Sequence, residues 1–157
     1  MALFTIPPRP TPLQIWKTCV YKTIGTVSIP IDIYLPNAGP DASCPTVLFI
    51  HGGGWAGSNR SDYCRPLFSH LLSLNFITAS MDYRLVPETS FAGQLEDVRD
   101  VEDWLRRKLP EEVKAGSSIR VDAENILVVG ASAGAHLALM IVSFLSYSCF
   151  TPLTPHF

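Results

Sequence analysis

Hydrophobic and polar positions switch period along this chain. Val27, Ile29, Ile31, Ile33 and Leu35 alternate strictly with other residues, the period-two pattern of a strand with one buried face. Thr18 to Ile24 reads as a preceding strand, with Gly25-Thr26 as the turn of a hairpin. Pro30 removes a ladder donor and places that hairpin near a sheet edge. Thr46 to Ile50 is an apolar run, as in a central strand, and Phe76 to Met81 is another strand. Ile126 to Val129 is short, apolar and rich in β-branched residues, which predicts a strand buried on both faces. Between these runs the period changes to that of a helix. Tyr63, Leu67, His70, Leu71 and Leu74 predict a helix over 62–74, with Ser61 as N-cap. Leu95, Val98, Val101, Trp104 and Leu105 form the stripe of a helix over 93–109. Acids near its start and Arg106, Arg107 and Lys108 at its end suit the dipole, and Pro110 stops it. Residues 117–124 read as a polar loop, and 36–45 as another. The order is a hairpin followed by strand–helix units without internal repeat. It predicts an α/β fold with parallel central strands.

Length and composition narrow the class. With 157 residues, 47% hydrophobic and 17% charged, the chain can build one domain with its own core. A net charge of −2 gives no electrostatic footprint for nucleic acid. Cys19, Cys44, Cys64 and Cys149 lack metal-ligand or disulfide spacing and read as reduced thiols. No signal-peptide layout opens the sequence, which suggests a cytoplasmic protein. Residues 125–157 contain no Asp, Glu, Lys or Arg. A membrane span is the rival there, but a buried strand and helix joined by Gly and Ser account for the stretch better, so no span is expected.

Two glycine-rich stretches carry the candidate chemistry. Three glycines follow the central strand in His51-Gly52-Gly53-Gly54-Trp55. Such a run is costly to order, and one reason to keep it is backbone N–H groups that must face an anion. A phosphate loop is the rival, but the Gly-Lys-Ser/Thr of that pattern is absent. The second stretch is Gly130-Ala131-Ser132-Ala133-Gly134, a G-x-S-x-G between a strand and an Ala/Leu-rich helix. That context matches a nucleophile elbow: a sharp turn presents Ser132, and the following helix turns its free N–H groups towards it. Ser132 is the candidate nucleophile, and the N–H of Ala133 is a candidate oxyanion donor.

Together with Asp82-Tyr83-Arg84-Leu85-Val86-Pro87-Glu88, these motifs stand in an order that resembles the hormone-sensitive-lipase-like carboxylesterases, the α/β-hydrolase fold-3 group. The likeness runs from about Val20 to about Ile141. It implies the N-terminal part of an α/β-hydrolase fold, a mostly parallel sheet with flanking helices and an N-terminal antiparallel hairpin. It implies serine ester hydrolysis through an acyl-enzyme on small-molecule esters, with no cofactor and no metal. Ser132 is similar to the family's nucleophile, and Gly53, Gly54 and Ala133 to its oxyanion donors. His51 braces its own loop in that family, and the 83–88 turn and Asp97 look like structural brackets.

The sequence departs from the family after Gly134. The family's later Asp or Glu and its His have no counterpart here: after Gly134 the only histidines are His136 and His156, and that stretch holds no acid. His136 lies four residues past Ser132 on one helix and reads as a packing or hydrogen-bonding residue. His156 has no acid to orient it, and His70 reads as a surface or lining residue on a helix face. The expected organisation is an N-terminal arm (1–14), a partial hydrolase domain (15–142) and a non-family tail (143–157). The tail is compatible with a retained intron, a shortened gene model, a frameshift or a genuine terminus. The polypeptide alone is expected to be nearly inactive. A non-catalytic ligand-binding module on the same scaffold and an inactive fragment are the alternatives.

Overall fold

The computed structural model describes residues 13–148, with side chains as far as residue 141. Its elements are β1 (Lys17–Ile24), β2 (Val27–Tyr34), β3 (Ser43–Ile50), α1 (Arg65–Ser73), β4 (Ile77–Met81), α2 (Phe91–Arg107), α3 (Leu109–Gly116), β5 (Arg120–Gly130) and α4 (Ala133–Ser148). The expected arm lies almost wholly outside the described residues. So do Cys149, His156 and the rest of the tail beyond α4.

The strands form one sheet in the order β1-β2-β4-β3-β5. β3 runs parallel to β4 and β5, while β2 is antiparallel to β1 and β4. The parallel centre and the hairpin at one edge are as the sequence predicts. β2 itself is more deeply placed than its alternation suggests. It is flanked on both sides, and Ile31 to Tyr34 are all buried. Pro30 pairs with Val20, and the β1–β2 register slips between Val20 and Lys22, so a bulge accompanies the missing donor.

Other boundaries shift for local reasons. α1 starts at Arg65 with Pro66 in its first turn, and Cys64 at the cap makes no side-chain bond. Ser61 and Asp62 belong to the preceding turn, where Asp62 N–H donates to the Asn59 carbonyl. α2 is capped by Ser90, whose hydroxyl accepts from Gly93 N–H, and no acid lies in its first turn. Pro110 opens α3 where the sequence predicts only a stop; a first turn tolerates proline because its N–H groups have no helical partner. β5 begins earlier than expected. Arg120 to Asp122 pair with Ser43 to Pro45, residues 123–125 bulge out, and Ile126 to Gly130 pair with Thr46 to Ile50. The Asp122 carboxylate closes that bulge by accepting from the N–H groups of Glu124 and Asn125.

The prediction that Ile126 to Val129 is buried on both faces is wrong for the described residues. β5 pairs only with β3, and Leu127 is 51% exposed. One face of the sheet packs Ile31, Ile33, Leu48 and Ile50 against Val98, Val101 and Leu105 of α2, Leu109 and Val113 of α3, and Leu137 and Ile141 of α4. The other face holds Tyr34, Phe49 and Phe68, with Tyr63 stacked on Phe68. Among the described residues no helix is long and apolar enough to cross a membrane. Cys19, Cys44 and Cys64 are free thiols.

Candidate active site

The G-x-S-x-G turn joins β5 to α4 at the end of the sheet where β3 also finishes. Ser132 has φ of 50°, the left-handed region that costs a non-glycine residue about 1–2 kcal/mol. It is exposed, whereas Ala133 beside it is 3% exposed at the start of α4. The turn closes through Gly134 N–H to the Ala131 carbonyl at 2.8 Å, and Ala131 N–H donates to the Ile50 carbonyl at 3.1 Å. Its two glycines are required by space. A Cβ on Gly130 would lie 2.3 Å from the carbonyl carbon of Gly134, and one on Gly134 would lie 2.1 Å from the Ile50 carbonyl oxygen.

The glycine loop after β3 meets this turn directly. A Cβ on Gly52 would sit 2.9 Å from the Ala131 carbonyl oxygen and 3.3 Å from Ser132 Cβ. Gly53 and Gly54 continue at φ of 95° and 61°, both exposed. Among the described residues none accepts a hydrogen bond from the N–H of Gly53, Gly54 or Ala133. The four residues singled out in the sequence thus lie on the glycine loop (Gly53, Gly54) and on the adjoining serine turn and first residue of α4 (Ser132, Ala133).

Several groups fix the glycine loop. The buried His51 ring stacks on Tyr83 with centroids 4.4 Å apart, and its Nδ1 lies 2.9 Å from the Gly52 carbonyl, to which it donates. Burial pushes the His51 imidazole below its ordinary value, which favours the neutral ring. Burial also pushes the Tyr83 phenol up to about 12, so its O–H stays available to the carbonyls of His51 and Gly52, each 3.2 Å away. The Trp55 carbonyl accepts from Val86 N–H at 2.9 Å and from Gln94 Nε2 at 2.8 Å. Arg60 clamps the far end of the loop: its N–H and Nη1 donate to Asp82 at 2.6 Å each, and its Nε lies 3.1 Å from Asp32. Beyond it, Arg84 and Lys22 converge on the buried Asp97 at 2.8 Å each. Burial pushes the Asp97 carboxyl up, but the hydrogen bonds from Arg84 and Lys22 outweigh it and hold it below the usual carboxylate range.

His136 is exposed on α4. Its ring stacks on Phe91 at 5.2 Å and meets the Trp55 ring edge-on at 5.6 Å. Together with Gly54, Ala56, Val86 and Gln94 these rings line a concavity of about 410 Å³ beside the glycine loop. His70 is exposed on α1. Among the described residues no group of three or more His, Cys, Asp or Glu could hold a metal ion. Sequence reasoning missed Phe91, Gln94 and Arg60. Phe91 lies ahead of the helix start read from the sequence, Gln94 is a polar residue on the buried face of α2, and Arg60 carries no local pattern.

A glycine loop after the central strand, braced against a strand–serine–helix turn, defines a hormone-sensitive-lipase-like α/β hydrolase. The chain belongs to the BD-FAE family, whose model matches residues 31–146. It is 41% identical over 124 residues to the non-reducing polyketide synthase stbA of Stachybotrys bisbyi, a match covering 78% of this chain and 6% of that protein. It is 37% identical over 123 residues to the synthase ascC of Acremonium egyptiacum, again 78% of this chain and 6% of the relative. Among solved structures it is similar to apo esterase 2 of Thermogutta terrifontis, with 26% identity and a TM-score of 0.67, covering 83% of this chain and 47% of the esterase. The chain therefore spans a small part of the synthases and under half of the esterase.

Proposed function

We propose that this chain carries the nucleophile and oxyanion-binding part of a serine ester hydrolase acting on small-molecule carboxylic esters, within a hydrolase unit over residues 15–142. The observation that carries this reading is Ser132 held in the left-handed region against Gly52, with the uncommitted N–H groups of Gly53, Gly54 and Ala133 on the same two loops. In the proposed step Ser132 Oγ attacks the ester carbonyl carbon, and the N–H groups take the oxyanion. The alcohol leaves, and water releases the acid from the acyl-serine.

Deprotonation of Ser132 is the missing part. The stretch after Gly134 contains no acid, and His136 is engaged by Phe91 and Trp55. Loss of the base costs a serine hydrolase about 10⁶ in turnover and leaves about 10³–10⁴ over water. The polypeptide by itself is therefore expected to turn over very slowly and to need a histidine and carboxylate supplied from elsewhere. The concavity beside the loop favours a second reading, a ligand-binding module that does not use Ser132.

Thermogutta terrifontis esterase 2 has been solved phosphorylated by paraoxon, which suggests the test. Prolonged incubation with paraoxon in the presence of imidazole, a soluble base in place of the missing histidine, followed by peptide mass spectrometry, is expected to find a phosphoryl adduct on Ser132 that is lost in Ser132→Ala. No adduct, or one that persists in Ser132→Ala, overturns the hydrolytic reading in favour of the binding module.

A further inference from the structure

The hydrogen bonds of the glycine loop form a chain that starts outside it. Gln94, fully buried on α2, donates from Nε2 to the Trp55 carbonyl at 2.8 Å. That carbonyl shares its peptide with the Ala56 N–H, which donates to the Gly53 carbonyl at 3.2 Å. The Gly53 carbonyl in turn shares its peptide with the Gly54 N–H, one of the candidate oxyanion donors. A trans peptide is planar, with its C=O and N–H pointing opposite ways. Fixing each carbonyl therefore aims the N–H behind it. Every donor in the chain points the same way, so the bonds also polarise one another towards the Gly54 N–H.

Two costs are retained along this chain. Trp55 sits at φ of 63° and Ser58 at 71°, where a residue other than glycine is strained. Gln94 Oε1 is buried without a hydrogen-bond partner among the described residues. Reversing the amide would only set that oxygen against the Trp55 carbonyl, acceptor facing acceptor. An unpaired buried acceptor is destabilising, and an apolar side chain of the same size would avoid it. The Trp55 carbonyl does not need Gln94 to be satisfied either, because Val86 N–H already donates to it at 2.9 Å. What remains for the amide is to hold a strained loop on its course.

We infer that Gln94 is a positioning residue of the oxyanion site, aiming the Gly54 N–H through the Trp55–Ala56 and Gly53–Gly54 peptides; this rests on the hydrolytic reading above. Gln94 touches neither Ser132 nor the reacting atoms in this scheme. It acts two hydrogen bonds away, by fixing the first carbonyl of the chain. Without its donor the Trp55 carbonyl keeps only the Val86 N–H, and the Trp55–Ala56 peptide can turn about that single bond. The Gly54 N–H then loses its fixed direction while the fold keeps its core.

The test uses Gln94→Met in the full chain, which keeps length and bulk but removes the donor and the unpaired oxygen together. Its urea midpoint is expected to match that of the unmodified protein. With imidazole as soluble base, phosphorylation of Ser132 by paraoxon is expected to slow about tenfold or more, short of the ~100–1,000-fold for deleting an oxyanion donor outright. Hydrogen exchange at the Ala56 amide is expected to quicken about tenfold, the worth of one hydrogen bond. An unchanged labelling rate in the folded variant overturns the inference, and so does a slowing that only follows a fall in the urea midpoint. Slower labelling with unchanged Ala56 exchange overturns it too, since the effect would not pass through the loop. Gln94→Leu is the second variant; if neither folds cooperatively, the amide serves the fold and the inference is overturned. Absence of an adduct in the unmodified chain sinks the hydrolytic reading alone. Ala56 exchange then decides: faster exchange in Gln94→Met upholds Gln94 as the anchor of the loop, and unchanged exchange overturns it.

Discussion

Two neighbouring parts of this molecule are held together by opposite means. Where the glycine loop meets the serine turn, contact is made by backbone on backbone, and the residues that matter are those with no side chain. Gly130 and Gly134 could not carry even a methyl group. A short distance away, the segment after β4 is tied to α2 and to the hairpin by charge: Arg84 and Lys22 on the buried Asp97, with Arg60 on Asp82 and Asp32. The first contact is steric, indifferent to pH and intolerant of volume. The second tolerates small changes of shape but depends on ionisation. The serine turn thus owes its geometry to packing, while the segment after β4 owes its position to paired charges.

The largest effect should come from adding volume to the steric contact. Gly134→Ala is expected to cost about 3 kcal/mol or more, at the upper end of overpacking penalties, because the obstacle is the Ile50 carbonyl and not a movable side chain. A urea midpoint close to that of the unmodified protein would break the steric half of the comparison.

Next is the charged bracket. Asp97→Asn is expected to cost about 2–3 kcal/mol at pH 7, somewhat below the ~3–5 kcal/mol for a fully buried pair, since Lys22 and Arg84 both reach solvent. The pH dependence gives the sign. Asp97 in the folded chain gives up its proton more readily than at its ordinary value of 3.8. Its ion pairs therefore contribute fully above that value, and their contribution disappears as the pH falls through the depressed folded value. The stability gap between the protein and Asp97→Asn should narrow on acidification below pH ~4; a gap that stays constant from pH 7 to 3 would show that charge is not what holds the bracket.

Gly54→Ala sharpens the steric side by separating space from backbone conformation. A Cβ there meets nothing within 4 Å, but φ is 61°, so the expected cost is about 1–2 kcal/mol from strain alone. Thermal melts of Gly54→Ala and Gly134→Ala side by side would reveal whether volume or φ dominates. The smallest effect belongs to an exposed pair. Arg107 and Asp103 lie 2.6 Å apart on α2 but are mostly in solvent, so Asp103→Asn should change stability by under about 0.5 kcal/mol. A larger change would mean that exposed charges also contribute to the bracket.

The parallel centre of the sheet and the local turns were within reach of sequence reasoning, because they follow from short patterns, and the family resemblance implied that the two glycine-rich loops meet. The hairpin at the edge, the parallel β3 and β4, and the strand–Ser132–helix turn are of this kind. What escaped has a tertiary cause. The burial of β2 on both faces depends on Tyr63, Phe68 and Arg60 covering Tyr34 and Asp32. The early start of β5 depends on Ser43 to Pro45 finding Arg120 to Asp122 across a bulge. Pro110 read as a stop because its tolerance in a first turn is visible only once α3 is seen to begin there. In the candidate site, Ser132, Gly53, Gly54 and Ala133 announce themselves by motif, whereas Phe91, Gln94 and Arg60 matter only through partners distant in sequence.

The Ile50 carbonyl carries a consequence of its own. It accepts from Ala131 N–H, and it is also the atom that a side chain on Gly134 would strike. Two segments far apart in the chain are therefore gauged against one atom, and neither can change its length or course unless the other changes with it. For anyone building chimeras between relatives, the stretch from Ile50 to Gly54 and the stretch from Gly130 to Gly134 form a single unit of exchange. A crossover placed between them should succeed only when the two parents already agree on the position of that oxygen.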